Sequence, residues 1–315
     1  MKRIMTFMLT FSLLFANFTT VNAAQSTTTT VFERRQQAQQ ELNSLVPEEV
    51  MEKVKSSNST LSSYDYKINE YDLAKELSAL SEVDLSAAGY DEYTIEVIKN
   101  YDEAFENQMA VFSTLDSNIL RQFNYSEEQI NIIKNYQGTE SERSLTAATC
   151  NVTVEISKCE YDSSTDRTYS QVTTSFVWTG VPVIKLKDAL MSGWDSWVLS
   201  GKVASIKYTH INNGTYQWKT PTFITASNGG TSLGCGYTFN SAIEDNNYYA
   251  SEGYETFTMD ASGKKDMHAT GLYADRSVSV TPTISFSLSG TSVSISVSNT
   301  STEYVDAADA RVTIK

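Results

Sequence analysis

Histidine is almost missing from this chain, with only His210 and His268 among 315 residues. That scarcity excludes a histidine-built metal centre. No His-Glu-x-x-His pattern occurs, and no Cys/His cluster has zinc spacing. A Gly-x-Ser-x-Gly elbow is absent, as is a glycine-rich phosphate loop. Basic residues are also short, at 24 Lys and Arg against 38 Asp and Glu. A phosphate backbone is repelled by that balance, so nucleic acid is excluded as a partner. Anionic lipid headgroups are disfavoured on the same ground. After the N-terminus no apolar run is long enough to span a bilayer, which takes about 20 residues.

Cysteine is sparse as well. Cys150, Cys159 and Cys235 are the three, so one at least stays unpaired. Cys150 and Cys159 flank one expected strand, Asn151–Lys158. Nine steps of about 3.3 Å place them roughly 30 Å apart, whereas a bridge needs Cα atoms within about 7 Å. A bridge between those two is therefore not expected. Cys235 can pair with either, or all three stay reduced.

What is present begins with an address. Lys2 and Arg3 precede an apolar run from Ile4 to Phe18, and Val21-Asn22-Ala23 supplies small residues for cleavage. This reads as a secretory signal peptide over 1–23. The sequence thus predicts a protein released from the cell. The acidity is uneven: residues 24–148 hold 22 acids against 10 bases, and residues 149–315 hold 16 against 12. A solvated acidic face accounts for it.

Residues 24–63 read as a disordered Ser/Thr-rich segment followed by an N-terminal helix around Pro47. A repeat follows in residues 64–137. Gly89-Tyr90-Asp91-Glu92-Tyr93-Thr94-Ile95-Glu96-Val97-Ile98-Lys99-Asn100-Tyr101 returns 35 residues later as Asn124-Tyr125-Ser126-Glu127-Glu128-Gln129-Ile130-Asn131-Ile132-Ile133-Lys134-Asn135-Tyr136. Each copy is expected to be a helical hairpin. Its first helix, Leu77–Ala88 or Phe112–Phe123, closes at Gly89 or Asn124, residue types that tolerate the left-handed conformation. Asp91 or Ser126 caps the second, and Ser126 with Gln129 forms a capping box. The stripe Ile95, Ile98, Tyr101 and its copy Ile130, Ile133, Tyr136 suits either a small bundle core or a protein-binding groove. Residues 138–149 are small and polar and read as a linker.

Residues 150–315 change texture. Short alternating segments separated by Gly, Asn and Asp predict an antiparallel β-sandwich. The expected fold class is therefore α+β, multidomain: a small helical domain with a duplicated hairpin, then the sandwich. One segment departs from the strand pattern. Between Leu186 and Val198, Leu190, Trp194, Trp197 and Val198 fall on one helical face, with Asp188 placed to cap. A short helix across the open end of the sandwich is expected there. Near the C-terminus, Ser277–Ser298 alternates apolar and hydroxyl residues with period two, predicting a hairpin. With a Ser289-Gly290 loop, Phe286 faces Val293 and Ile284 faces Ile295. The second strand, tilted in a barrel, would cover roughly 16 Å of the ~25 Å apolar band. Membrane insertion is therefore disfavoured against burial on a second sheet.

The run Pro182-Val-Ile-Lys-Leu-Lys-Asp188 leading to Trp194, and Ala269-Thr-Gly-Leu-Tyr-Ala274 feeding the Ser/Val hairpin, resemble a loosely defined set of uncharacterised secreted proteins of Gram-positive bacteria. The resemblance spans roughly the last 150 residues. It implies secretion and a β-rich half, and it carries no activity and no functional residues.

No catalytic residue, metal or cofactor is read from the sequence. Ser262-Gly-Lys-Lys265 matches Ser-x-x-Lys but lacks its companion motifs. The pairs Asp162 with Asp166, Glu244 with Asp245, and Asp306 with Asp309 suit turns or a loose calcium site. Trp194, Trp197, His210 and Trp218 are the candidate ligand-binding residues, because aromatic rings on an extracellular sandwich stack on sugars or fill partner pockets. Tyr248, Tyr249 and Tyr254 could join them. The function expected is a secreted, non-enzymatic binding protein for an extracellular protein or glycan. A hairpin pore-former and a hydrolase with an unrecognised site are the alternatives.

Overall fold

The computed structural model describes residues 62–87, 90–185, 187–194, 196–225 and 233–274, and the backbone of the strands at 283–289, 292–298 and 308–312. The expected signal peptide, the segment around Pro47, Gly89 and Asp306 lie outside the described residues.

The described chain opens with strand β1 (Ser62–Asn69) and runs into α1 (Glu70–Ala79), α2 (Glu82–Ala87) and α3 (Glu92–Lys99). Then come α4 (Tyr101–Phe112), α5 (Ser117–Gln122), α6 (Glu127–Lys134) and α7 (Glu140–Thr146). The 35-residue repeat thus holds three helices per copy rather than a hairpin, and the expected first helix breaks at Leu80 and again at Leu115. Hydroxyl chemistry explains the break. Ser78 Oγ donates to the carbonyl of Lys75 at 2.9 Å, and Ser113 Oγ to that of Ala110 at 2.8 Å. Such back-bonding competes with helix continuation. Ser81 then accepts the Asp84 N–H, and Asp116 accepts the Asn118 N–H. Each next helix so acquires its own N-cap.

The freed carbonyls go to a repeated lysine. Lys99 Nζ donates to Ser78 O at 2.8 Å and to Leu80 O; Lys134 Nζ donates to Ser113 O at 3.0 Å and to Leu115 O. A cation at a helix C-terminus is also favoured by the dipole. The expected caps form: Asp91 accepts the Thr94 N–H at 2.7 Å, and Ser126 and Gln129 build the capping box. Asn124 adopts φ 61°. Ile98, Ile130, Ile133 and Tyr101 of the stripe are buried.

Residues 138–149, expected as a linker, contain α7. Thr139 and Glu142 form a second capping box there. The helix ties three others together: Lys75 of α1 pairs with Glu140 at 2.5 Å, Arg143 Nε reaches Glu106 of α4 at 2.8 Å, and Gln129 of α6 donates to Leu145 O. The polar texture that suggested a linker is the outer face of a short amphipathic helix.

The β region is built from β2 (Thr149–Asp162), β3 (Arg167–Thr179), β4 (Lys187–Trp194), β5 (Val198–His210), β6 (Tyr216–Lys219), β7 (Thr222–Thr225), β8 (Gly234–Asn240), β9 (Ala242–Ile243), β10 (Tyr248–Ser262) and β11 (Met267–Ala274). The last three are β12 (Thr283–Ser289), β13 (Ser292–Ser298) and β14 (Ala308–Val312). One antiparallel sheet, here sheet A, has the order β1-β2-β3-β10-β5-β6, with β9 beside β10. Sheet B has the order β14-β11-β4-β8-β7. The two face each other, with Phe176 of sheet A stacked on Phe239 of sheet B at 5.4 Å and Trp194 against Phe257 at 5.2 Å. In β2 the alternation is as read: Cys150, Val152, Val154 and Ile156 point inward and are buried.

The expected helix at 186–198 is strand β4. Its residues from Asp188 to Trp194 are all buried, because sheet A covers one face and β13 lies against β4 and β11. A strand covered on both sides carries no wet-and-dry alternation. The apolar spacing of Leu190 and Trp194 therefore mimicked a helix. The hairpin also pairs differently: Phe286 opposes Ile295 and Ile284 opposes Val297, with Ser289 opposite Ser292. Face parity is unchanged, but the register moves by two.

Helices and sheets share one continuous buried core. Strand β1, read as part of the helical region, is an edge of sheet A paired with β2 from Ser62 to Asn69. Glu70, the first residue of α1, is buried, and its carboxylate accepts the N–H of Val183 at 3.0 Å and of Ile184 at 2.8 Å. Tyr101 donates to it at 3.1 Å. Phe123 packs edge-on against Tyr249 at 6.0 Å.

Candidate functional site

The four tryptophan and histidine candidates do not converge. Trp194 sits between the sheets and Trp197 in the β4–β5 connection, both wholly buried. The Trp197 ring lies 5.8 Å beneath the Lys265 ammonium. His210, half-buried at the end of β5, accepts the Asn212 N–H on Nδ1 at 3.1 Å and meets Tyr248 edge-on at 4.7 Å. Tyr249 is wholly buried. Trp218 lies elsewhere, on β6, and around it the structure assembles a surface.

That surface is the outer face of sheet A where β10, β5 and β6 run side by side. Lys207 pairs in register with Glu252 on one side and Trp218 on the other. Lys207 Nζ is 2.6 Å from Glu252 Oε1 and 4.7 Å from the Tyr216 ring centroid. Tyr254, two residues along β10, brings its ring to 6.5 Å from Trp218, tilted by 56°. Trp218 and Tyr216 are half-buried, whereas Tyr254 lies buried beside them. Hydroxyls of the same strands are buried and satisfy one another, Thr173 with Thr256 at 2.9 Å and Thr209 with Ser251 at 2.7 Å. At the far end of the face Ser200 donates to Asp260 at 2.6 Å, and Arg167 pairs with the same carboxylate.

Two-residue spacing explains the aromatic placement. Tyr216 and Trp218 share a strand face, and the turn through Gly214 folds them onto Thr209 and Lys207. Gly214 has φ 69°, and a Cβ there would collide with Gln122 of α5. Comparing β5 with β6 in the sequence could have found the pairing of Lys207 with Trp218. The contribution of Glu252 and Tyr254, more than 30 residues away, carries no local signal.

Two of the acidic pairs take turn roles. Asp162 accepts the N–H and hydroxyl of Ser164 and the hydroxyl of Thr165, and Asp166 has φ 51°. Glu244, Asp245 and Asn246 all have positive φ in the turn before β10. Among the described residues no group of three His, Cys, Asp or Glu is placed to hold a metal ion.

All three cysteines are free and buried. Burial, with Asp266 nearby, pushes the Cys159 thiol up to about 12. Burial and then Glu255 raise Cys235 well above its ordinary value. A nucleophilic thiolate is disfavoured at both. Between the sheets the buried Glu255 carboxyl accepts from Ser192 at 2.7 Å, and Ser192 lies 2.7 Å from Thr174.

A second feature lies on the helices. An open groove of about 410 Å³ runs between α4 and the end of α6. Among the described residues no helix is long and apolar enough to cross a membrane.

No family model and no curated protein matches the chain. Two solved structures are similar to parts of it. One comes from work on pH-induced modulation of Streptococcus parasanguinis adhesion by Fap1 fimbriae, with 11% identity, a TM-score of 0.24, and coverage of 52% of this chain and 79% of that one. The other is the KRT10-binding region domain of the pneumococcal serine rich repeat protein PsrP, with 12% identity, a TM-score of 0.22, and coverage of 42% and 80%. At these TM-scores neither resemblance bears on the fold, site or ligand of this chain.

Proposed function

We propose that the chain is a secreted, non-enzymatic binding protein, and that its ligand is an extracellular glycan seated on the outer face of sheet A at the β6 edge. The carrying observation is the gathering of Tyr216, Trp218 and Tyr254 around the Lys207–Glu252 pair. The half-buried rings of Tyr216 and Trp218 offer faces that stack on the apolar faces of sugar rings, with Tyr254 packed behind Trp218 and the partly exposed Lys207 ammonium beside them for a directional hydrogen bond. The acidic balance of the chain favours a neutral or basic sugar over an anionic one. On this reading the helices serve as a spacer or second recognition module. The raised thiols and the lack of convergence around His210 favour binding over the hydrolase alternative.

A glycan array and retention on cell-wall fractions test this, with Trp218→Ala alongside the parent chain. Retention lost in the variant is the expected result. No retention of the parent chain, or equal retention of both, overturns the assignment. Retention by a protein fraction alone would keep the binding role and remove the glycan.

A further inference from the structure

The two copies of the repeat share a set of hydrogen bonds where α1 and α4 end. Ser78 and Ser113 make the same back-bond, Lys99 and Lys134 the same carbonyl contacts, and the N–H groups of Leu80 and Leu115 the same turn. This equivalence puts Lys75 opposite Ala110, and Tyr71 opposite Glu106, in the two copies. In the first copy the Lys75 ammonium lies 5.1 Å over the Tyr71 ring and pairs with Glu140. In the second copy the lysine is an exposed alanine, and the ring beneath it is a carboxylate. The groove between α4 and α6 opens at that place, with Glu106, Met109, Ala110, Lys134, Tyr136 and Gln137 on its walls.

We infer that this groove takes a lysine side chain from a protein partner, in the position that Lys75 fills in the first copy. Glu106 is suited to receive it. Its Oε1 already accepts from Tyr136 at 3.0 Å and from Arg143 Nε at 2.8 Å, which orients the carboxylate. Its Oε2 is directed at no side-chain donor among those bonds. The Lys134 ammonium is held by the carbonyls of Ser113 and Leu115. Residues 62–148 carry 17 acids against six bases, a field that draws a cationic segment toward the groove.

The test is fluorescence anisotropy with the full chain and a labelled alternating lysine–alanine peptide, beside a glutamine–alanine peptide. Only the lysine peptide is expected to bind. Ala110→Lys, which restores the residue of the first copy, should weaken binding by about tenfold or more. Glu106→Gln should weaken it as well. Ser86→Lys adds the same charge on the exposed face of α2 and should leave affinity within about twofold. Melting curves report whether each variant is folded, and chemical-shift changes at Ala110 and Gln137 in the parent chain locate the peptide independently. Three results would overturn the proposal: equal binding by Ala110→Lys, an equal loss in Ser86→Lys, or shifts confined to other helices. Self-association abolished by Ala110→Lys would assign the groove to a second copy of the chain and overturn it too.

Discussion

Glu70 of α1 grips the loop before β4 through the backbone N–H of Ile184, at 2.8 Å. The same carboxylate holds Val183 and Tyr101. One side chain therefore joins the start of the helices to the entry of sheet B. Glu70→Ala strands the buried N–H of Ile184, at a cost of about 1–3 kcal/mol, and the part-buried N–H of Val183. Urea unfolding is expected to show a loss in that range or above. An unchanged midpoint would mean that the junction does not contribute to stability.

The buried Glu255 carboxyl sets a pH dependence. Burial raises it well above its ordinary value, and the Ser192 hydroxyl only partly offsets this. The unfolded chain loses this proton near pH 4.5, and the folded chain holds it to higher pH. The stabilisation is thus full below about 4.5 and is lost as pH rises toward the folded value, at up to about 1.4 kcal/mol per pH unit. Glu255→Gln should remove that slope and gain on the parent chain as pH rises. Parallel stability curves for the two proteins would refute this assignment.

Lys99 and Lys134 make equivalent bonds in the two repeats, so their removal should cost alike. Each replacement by methionine is expected to lose about 1–2 kcal/mol, from one helix C-terminus deprived of its cation and donors. Thermal melts of the two single variants and the double variant would show the costs adding, since each lysine serves its own copy.

Gly236 of β8 has no room for a side chain. A Cβ there would strike the Leu190 carbonyl oxygen and lie 2.9 Å from the Met191 Cα. Both obstacles are backbone, so neither can rotate away. Gly236→Ala should destabilise the fold by about 1–3 kcal/mol or more. A neutral result in denaturant would show that β4 and β8 can part at low cost.

Trp194 and Trp218 should separate cleanly. Trp194→Ala empties a core position and should cost about 3–5 kcal/mol. Trp218→Ala trims a half-buried strand face, so its melting point should move little while ligand retention falls. Equal destabilisation by both would place Trp218 in the core.

Much of this architecture could be read locally. The caps at Asp91 and Ser126 are properties of a few consecutive residues, and so is the alternation of Val152, Val154 and Ile156. The 35-residue repeat was legible too, yet its helix breaks were not: the back-bonds of Ser78 and Ser113 are local, but the carbonyls they free are satisfied by Lys99 and Lys134, about 20 residues further on. The groove lay half in view. Lys75 with Ala110, and Tyr71 with Glu106, can be set side by side in the sequence, but only the folded chain shows the groove between α4 and α6.

Trp218 was named from its type alone, and its neighbours came from strand pairing. Local periodicity failed at β4, where sheet A and β13 cover both faces and remove the contrast between wet and dry sides. The sequence by itself determined the acidic balance, the caps, the repeat and most of the strands, since each depends on neighbours within a turn or a pleat. The tertiary structure decided that β4 is a strand, that α7 ties the helices together, that Glu70 joins them to the sheets, and which side chains share the outer face of sheet A. Those outcomes depend on contacts between residues far apart in the chain, where burial and pairing outweigh local preference.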